Sequence, residues 1–443
     1  MDKMRMESVD ITAQNIEKIS SLFPNCITEM LDEEKSTIDN KVYKKAVNFE
    51  MLKQMLSGNV LDGDEAYEFT WVGKKAAIVE ANTPIKKTLR PCPEESVNWD
   101  STENLYIEGD NLEVLKLLQE RYLGKVKMIY IDPPYNTGSD FIYNDDFKIT
   151  GVEYSNEIGE KDEDGNRMFK NTDSNGRFHS DWCSMIYSRL LLARNLLSDD
   201  GVIFISIDDN EQENLKKCCD EIYGEHNFIT QIAWEKVHTR KNSAINFSSS
   251  HEYILCYAKI RRNYSGDIVG FKRNLLPRDN TDAYSNPDND NRGDWNSATY
   301  TCNKTREERP NLYYPIVNPK TGKEVLPKET AVWKYSKSQT EVFQEDNRLF
   351  WGVDGTAKMP RIKKFLFEHE GVVNRTLWHY DDVNHTQGAS NQLKNLNITG
   401  FSTPKPFELI ERIVRITSDS NSIILDSFAG SGTTAHAVLN MNK

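Results

Sequence analysis

Two short apolar runs constrain the fold of this chain more than any other feature. Residues 126–131 read VKMIYI and residues 202–207 read VIFISI, and both are nearly continuous in apolar side chains. Such runs are typical of strands that are buried on both faces of a sheet. Between them, residues 182–197 carry apolar side chains at helical spacing, and a strand–helix–strand order favours parallel pairing. The sequence therefore predicts an α/β fold on a doubly wound, mostly parallel sheet.

The same alternation recurs at both ends of this region. Residues 104–107 read NLYI and predict a short strand, and a helical pattern follows at 112–122. Residues 423–425 read IIL and predict another strand, with a new helix from about residue 433. We therefore expect one core built from two separated halves.

The chain divides into four segments on this pattern. Residues 1–99 predict a helical N-terminal extension, in which 42–56 suits a helix. Residues 100–230 and 400–443 form the two halves of the core. Residues 231–399 lose the alternation and are rich in aromatic, Asn and basic side chains, which indicates an inserted α+β domain of mixed, loop-rich character. The polar segment 139–180 predicts a long loop, which is usually functional or disordered.

Charge and cysteine content exclude several classes of protein. The net charge of −13 argues against a protein that coats nucleic acid nonspecifically, although residues 235–279 hold nine basic and only four acidic side chains. Seven cysteines without a Cys-x-x-Cys pair predict neither a disulfide framework nor a metal site. With no long apolar run and no secretory signal, a cytoplasmic protein without membrane association is expected.

The strongest chemical motif is Asp132-Pro133-Pro134-Tyr135, directly after the predicted strand 126–131. Open α/β sheets bind ligands beyond the carboxyl ends of their strands. Two prolines fix the backbone and remove two N–H donors, so the carbonyl of Pro133 becomes a rigid acceptor. The Asp132 carboxylate is a second acceptor. Two converging acceptors can bind both hydrogens of an NH₂ group.

Binding both hydrogens changes the reactivity of an aromatic amine. The nitrogen lone pair is normally conjugated into the ring, and acceptors outside the ring plane favour a tetrahedral, nucleophilic nitrogen instead. Tyr135 offers an aromatic face on which an extruded base could stack. The alternative interpretation is a proline-rich turn with no chemical role.

A second motif, Asp426-x-Phe428-x-Gly430-x-Gly432, lies between a predicted strand and a predicted helix. Its glycines allow the backbone to approach a ligand closely. The G-x-G-x-x-G spacing of a dinucleotide site is absent, and the motif alone is equally compatible with a structural turn.

With both motifs, the chain resembles the amino-methylating DNA methyltransferases that use S-adenosylmethionine, in the permuted class whose catalytic motif precedes the donor-binding motif. More closely, it is similar to the modification subunits of type III restriction–modification systems. The stretches that carry the resemblance are 104–116, 132–138, 179–182, 201–209 and 401–406. The resemblance implies a circularly permuted, Rossmann-like methyltransferase core, with 100–230 as the catalytic half and 400–443 as the donor-binding half.

The resemblance also implies roles for matching residues. The target amine would be held by Asp132, Pro133, Pro134 and Tyr135. The donor would be bound by Asp110, Lys405, Pro406, Asp426, Phe428, Gly430 and Gly432. Within that set Asp110 would reach the donor adenine, Lys405 and Pro406 would cover the methionine side, and Asp426 would order the glycine turn. A helix N-cap is an equal alternative for Asp110, and a solvated side chain is an alternative for Lys405.

Asp at the first clamp position favours adenine N6 within this class. The resemblance further implies that 231–399 recognises the target sequence, and that the partners are double-stranded DNA and a restriction (helicase/nuclease) subunit, with a homodimer in the full-length form. The strand expected after the 433 helix, with its donor-binding acidic residue, falls outside these 443 residues, so we expect a truncated donor half that binds S-adenosylmethionine poorly. Two alternatives remain: an RNA or protein amine methyltransferase, and a truncated, non-catalytic DNA-binding subunit.

Overall fold

The computed structural model describes residues 8–32, 36–37, 40–56, 68–138, 141–143, 168–170, 176–240, 243, 245–262, 269–277, 281–368 and 371–443. The α-helices in these ranges are α1 (Ile11–Leu22), α2 (Phe49–Leu56), α3 (Lys74–Asn82), α4 (Asn111–Tyr122), α5 (Phe178–Leu196), α6 (Gln212–Cys219), α7 (Lys337–Glu345), α8 (Tyr380–Val383), α9 (Thr386–Asn395), α10 (Phe407–Thr417) and α11 (Thr433–Met441). The strands are β1 (Ile27–Leu31), β2 (Tyr43–Val47), β3 (Val126–Ile131), β4 (Phe141–Tyr143), β5 (Met168–Lys170), β6 (Leu197–Ile207), β7 (Phe228–Glu235), β8 (His251–Ala258), β9 (Trp295–Thr299), β10 (Thr301–Cys302), β11 (Ile316–Val317), β12 (Glu324–Val325), β13 (Val332–Trp333), β14 (Leu349–Phe350), β15 (Arg361–Phe365), β16 (Leu377–Trp378) and β17 (Ile423–Leu425).

A six-stranded sheet of order β16-β7-β8-β6-β3-β17 organises the larger of two compact units, which comprises Met1–Asn274 and Arg375–Lys443. Strands β17, β3 and β6 are parallel to one another. Strand β8 is antiparallel to both β6 and β7, so β7 has the same direction as β6. The carboxyl ends of β3, β6, β7 and β17 therefore lie at one edge of the sheet, together with the amino end of β8.

Both faces of the sheet are covered. Ile129 of β3 and Ile205 of β6 belong to a hydrophobic core with Leu115 of α4 and Leu190 of α5. The alternate strand residues, such as Met128, are equally buried but lie outside that core, as the period of two in a strand requires. Helix α10 contacts β3. The predicted α/β fold is confirmed, with a mixed sheet in which β8 is the antiparallel member.

Two local predictions were wrong. Residues 104–107 form no strand, and Leu105 and Tyr106 are 68% and 83% exposed. A strand needs a partner for its N–H and C=O groups, which an apolar pattern alone does not provide. In the N-terminal extension, only the second half of 42–56 is helical, because Tyr43–Val47 pairs with Ile27–Leu31.

The second unit, Leu275–Asn374, has its own core around Tyr300, Trp333 and Trp351. It contains the helix α7 and short antiparallel strand pairs. Strands β7 and β8 belong instead to the central sheet, although most of their length falls within 231–399. The role of that segment in recognition remains a prediction. Most of the predicted loop 139–180, and Lys241 and Arg278 of the basic run, lie outside the described residues.

Among the described residues, no helix combines the length and apolar character needed to cross a membrane.

Candidate active site

The candidate site lies where the strand ends of the central sheet meet. Asp132 follows β3, Asp426 follows β17, and Glu252 is the second residue of β8. Strand pairing fixes these positions: β3 lies between β17 and β6, and β8 lies beside β6. Three acidic residues that are far apart in sequence therefore reach the same edge of the sheet.

Asp132 is bound by two residues of the predicted site. The ammonium of Lys405 lies 2.8 Å from both Asp132 Oδ1 and Oδ2. The Tyr135 hydroxyl lies 3.0 Å from Asp132 Oδ1. Lys405 Nζ also lies 4.9 Å from the centroid of the Tyr135 ring, within the range of a cation–π contact. Asp132, Tyr135 and Lys405 thus form one cluster.

Two residues that the sequence interpretation did not select complete this cluster. Glu252 Oε2 lies 3.1 Å from the Tyr135 hydroxyl and 3.7 Å from Lys405 Nζ. Glu252 Oε1 accepts a hydrogen bond of 2.8 Å from Lys236 Nζ. The ammonium of Lys405 lies 5.9 Å from the Trp234 ring. The cluster therefore balances two carboxylates against two ammonium groups in a largely enclosed space, and the Tyr135 phenol donates a hydrogen bond within it.

The charged groups of this cluster shift one another's pKa values. Burial alone would raise the pKa of Glu252, but Lys405 and Lys236 hold it below its usual value. Burial alone would lower the pKa of Lys405, and the carboxylates of Asp132 and Glu252 raise it instead. Burial, with the same two carboxylates, raises the pKa of Tyr135 well above its usual value. Near neutral pH, Glu252 and Lys405 are therefore ionised and Tyr135 retains its proton.

The loop that carries the clamp is anchored to α5 and α6. Trp182 Nε1 donates a hydrogen bond of 2.7 Å to the carbonyl of Pro134, and Pro133 is buried. Asn136, at a φ of 60°, donates at 2.5 Å to Glu211, whose side chain is fully buried. Asn tolerates this left-handed backbone better than most residues. These contacts fix the direction in which the chain leaves the two prolines.

The glycine turn adopts the ordered form that the sequence motif suggests. Asp426 Oδ1 accepts from the backbone N–H of Phe428 at 2.9 Å, and Oδ2 accepts from Thr434 Oγ1 at 2.6 Å. Gly430 and Gly432 have φ values of 52° and 74°, which favour glycine, and Gly432 is the N-cap of α11. Burial, with a smaller effect of Asp132, raises the pKa of Asp426 to about 6.

Asp110 and Phe428 lie where helix α4 and the glycine turn meet the core. Asp110 is the N-cap of α4 and accepts from the backbone N–H of Glu113 at 3.0 Å, which is the geometry of the helix-cap alternative. The next residue, Asn111, donates to the carbonyl of Ser427 in the glycine turn at 2.9 Å. Phe428 is buried in the core beside α4 and α5.

Lys405 connects the clamp to the same turn. Its backbone carbonyl accepts from Thr433 Oγ1 at 3.1 Å, while its side chain reaches Asp132, and Pro406 is the N-cap of α10. Lys405 is therefore in contact with both the Asp132 cluster and the glycine turn.

Glu252 and Lys236 had a weak signal in the sequence. The stretch 251–258 reads HEYILCYA, so Glu252 is a charged residue within an otherwise apolar strand. A buried carboxylate in such a strand requires a partner. Periodicity does not identify that partner.

Comparison with known proteins finds relatives that match most of this chain. A family model described as DNA methylase matches residues 126–443. The chain is 36% identical over 413 residues to the Mod subunit of the type III restriction-modification enzyme EcoPI of Escherichia phage P1, covering 86% of this chain and 62% of that relative. It is 33% identical over 425 residues to the EcoP15I Mod subunit of Escherichia coli, covering 86% of this chain and 63% of the relative.

Two further similarities are to proteins named as DNA or type II methyltransferases. The chain is 32% identical over 360 residues to the type II methyltransferase M.KpnI of Klebsiella pneumoniae, with 78% of each chain covered. A solved structure of the cytosine-N4-specific PvuII DNA methyltransferase has a TM-score of 0.37 and 11% identity, covering 75% of this chain and 77% of that one. The chain spans about three fifths of the length of the two Mod subunits it matches.

Proposed function

The chain belongs to the DNA methylase family, and from this membership we propose that it transfers a methyl group to the N6 amine of adenine in double-stranded DNA. The observation that carries the proposal is the arrangement of Asp132 and Tyr135 beyond the end of β3, joined by a hydrogen bond of 3.0 Å. A carboxylate beside an aromatic ring, preceded by a buried parallel strand, suits an extruded base whose amine must be held.

In the proposed complex, the target amine donates one hydrogen to the Asp132 carboxylate and the other to the carbonyl of Pro133. The ionised carboxylate can only accept, so it selects a donor group at that position. The hydrogen bond from Trp182 to the Pro134 carbonyl fixes the neighbouring peptide. After transfer, Asp132 is the nearest base for the proton that the methylated amine must lose.

Tyr135 would support the base that has left the duplex. Extrusion costs a few kcal/mol, and stacking on an aromatic ring recovers about 1–3 kcal/mol per base. The Tyr135 ring is half-buried against the core, and its hydroxyl lies between two carboxylates, so its orientation is fixed before the base arrives. A fixed ring loses little entropy when the base stacks on it.

S-adenosylmethionine, when bound, supplies an electrophilic methyl group. The residues proposed to hold it are Asp110, Lys405, Pro406, Asp426, Phe428, Gly430 and Gly432. Among the described residues, no atom beyond Gly432 and its chain neighbours lies within 4 Å of the place that a Cβ on Gly432 would occupy, so a ligand has room to approach the backbone there. A positive charge bound near Asp426 would stabilise its ionised form, which burial disfavours. Asn111 would keep the Asp110 helix and the glycine turn together.

The similarity to Mod subunits supports a proposal for partners. The relatives are named as subunits of type III restriction-modification enzymes, so we propose that this chain acts with a restriction (helicase/nuclease) subunit, with 231–399 reading the DNA sequence. A homodimer of the full-length form remains a prediction. Co-purification of the two subunits from the host would support the first proposal, and separate elution at physiological salt would contradict it.

The proposed activity is tested by transfer of labelled methyl from S-adenosylmethionine to duplex DNA that lacks methylation. The native chain should label the DNA, and Asp132→Ala should not. If Asp132→Ala labels DNA as well as the native protein does, the proposed role of the clamp is wrong. Glu17→Gln is the charge-matched control: it removes one carboxylate of α1, in the N-terminal extension, where Glu17 pairs with Lys45 at 2.6 Å.

A further inference from the structure

The ammonium of Lys405 occupies the place that the clamp would offer to an amine. It is 2.8 Å from both oxygens of Asp132 and 4.9 Å from the Tyr135 ring centroid. A target amine that binds Asp132 over the Tyr135 face would meet the same oxygens and the same ring. Lys405 and the target therefore compete for one acceptor.

Lys405 cannot simply move out into solvent. Its side chain is only 9% exposed, and its backbone is held by Thr433. A buried ammonium that loses its partner without gaining another costs several kcal/mol. Release of Asp132 therefore requires a second anion within reach of the same ammonium.

Glu252 is that anion. Its Oε2 lies 3.7 Å from Lys405 Nζ, just outside hydrogen-bond distance, and its side chain is 10% exposed. Its other oxygen, Oε1, is bonded to Lys236 at 2.8 Å, so the two lysines approach different oxygens and do not exclude each other. A shift of the Lys405 ammonium by about 1 Å would convert the 3.7 Å contact into a charge-assisted hydrogen bond, whose usual N···O distance is about 2.8 Å.

Tyr135 is placed to follow this shift. Its hydroxyl has one proton and lies 3.0 Å from Asp132 Oδ1 and 3.1 Å from Glu252 Oε2. A hydroxyl donates to one acceptor at a time, and both neighbours are acceptors. The Tyr135 hydroxyl can therefore donate its hydrogen bond to whichever carboxylate Lys405 has left. Both carboxylates then keep a hydrogen-bond donor while Lys405 shifts.

We propose that Glu252 is a positioning residue that receives the Lys405 ammonium when the target amine binds Asp132. This inference rests on the proposed function, because it needs an amine that competes for Asp132. Glu252 acts only through Lys405 and Tyr135 and need not touch the substrate.

The test compares two duplexes that differ by one amine. Both carry the sequence found by mapping methylated adenines in DNA treated with the native enzyme. One has adenine at the target position, and the other has purine, which lacks the 6-amino group. The opposite strand has an abasic site at this position in both duplexes, so that the cost of unpairing the target base does not differ between them. Their affinities for the protein are measured by fluorescence anisotropy, without methyl donor.

The native protein should bind the adenine duplex more tightly than the purine duplex. Glu252→Gln keeps the side-chain shape but cannot accept the charge of Lys405. This variant should bind the adenine duplex about tenfold more weakly than the native protein does, which corresponds to 1.4 kcal/mol. Its affinity for the purine duplex should stay within about twofold of the native value. Glu252→Asp, which retains the charge, should restore most of the preference for adenine. The double variant Glu252→Gln/Lys405→Met should also regain it, because no ammonium remains to be displaced.

Two results would overturn the inference. One is an equal loss of affinity for both duplexes in Glu252→Gln, which indicates a merely structural role. The other is an affinity of that variant for the adenine duplex equal to that of the native protein. If the native protein itself shows no preference for adenine over purine, the amine is not bound at Asp132, and the proposed function fails along with the inference. Glu17→Gln serves again as the charge-matched control and should behave as the native protein does.

Discussion

Replacing Asp426 by Asn should stabilise the fold at neutral pH and do so less as the pH falls. The pKa of Asp426 is raised from 3.8 to about 6, mainly by burial. A carboxylate with a raised pKa binds its proton more tightly in the folded than in the unfolded protein. Its contribution to stability is therefore fully present below about pH 4 and is lost as the pH rises through about 6.

The magnitude follows from the shift. A difference of about 2 pKa units corresponds to about 3 kcal/mol at high pH, at 1.36 kcal/mol per unit. Asp426 retains some solvent exposure, so this value is an upper limit. Asn keeps an oxygen for the Phe428 N–H and is neutral at every pH. The gain in the free energy of unfolding should therefore grow by about 1 kcal/mol between about pH 5 and pH 8.

Urea unfolding of the native chain and of Asp426→Asn across this pH range measures the difference directly. Thr434→Val is the control, because it removes the donor to Asp426 Oδ2 without removing the carboxylate. A difference between Asn and Asp that does not depend on pH would refute the reasoning, since the carboxylate would then not be the source of the effect.

Three further variants test other contacts of the site. Tyr135→Ala should reduce the rate of methylation about 10- to 100-fold, because it loses about 1–3 kcal/mol of stacking. Tyr135→Phe should lose much less of the rate. A loss of thermal stability as severe as the loss of activity in Tyr135→Ala would contradict a stacking role. Trp182→Phe should leave the Pro134 carbonyl without its 2.7 Å hydrogen bond and destabilise the fold by about 1–3 kcal/mol in urea unfolding; unchanged stability would mean that the bond contributes nothing. Asn111→Ala should weaken binding of S-adenosylmethionine in calorimetry more than it weakens DNA binding, because it separates α4 from the Ser427 carbonyl; an equal effect on both ligands would argue against this role.

The elements that sequence could predict are those whose signal is local. Residues 126–131 and 423–425 form strands at the predicted bounds, and the helices α4, α5 and α11 lie where the sequence predicts them. A strand buried on both faces must be apolar along its whole length, which is visible in the sequence. Residues 104–107 carry a similar pattern and form no strand, because pairing depends on a neighbour that the pattern does not reveal.

The charge cluster could not be derived in the same way. Lys405 and Asp132 are 273 positions apart, and Glu252 is 117 positions from Tyr135. The order of the strands in the sheet brings these residues together. Strand β8, which carries Glu252, lies antiparallel beside β6, whereas β6, β3 and β17 are parallel. Lys236 belongs to the basic run expected on the surface, yet its side chain is bonded to Glu252 within the site. A lysine of such a run becomes buried only where a carboxylate lies within reach of it, and the sequence pattern does not show which lysine that is.

The proposed use of Asp132 to Tyr135 as an adenine clamp is tested most directly by identifying the methylated base. Duplex DNA is incubated with the protein and S-adenosylmethionine and then digested to nucleosides. The nucleosides are separated by chromatography and identified by mass spectrometry. The native chain should produce N6-methyladenine, and Asp132→Ala should produce none. N4-methylcytosine in place of N6-methyladenine, or N6-methyladenine made equally well by Asp132→Ala, would contradict the proposal.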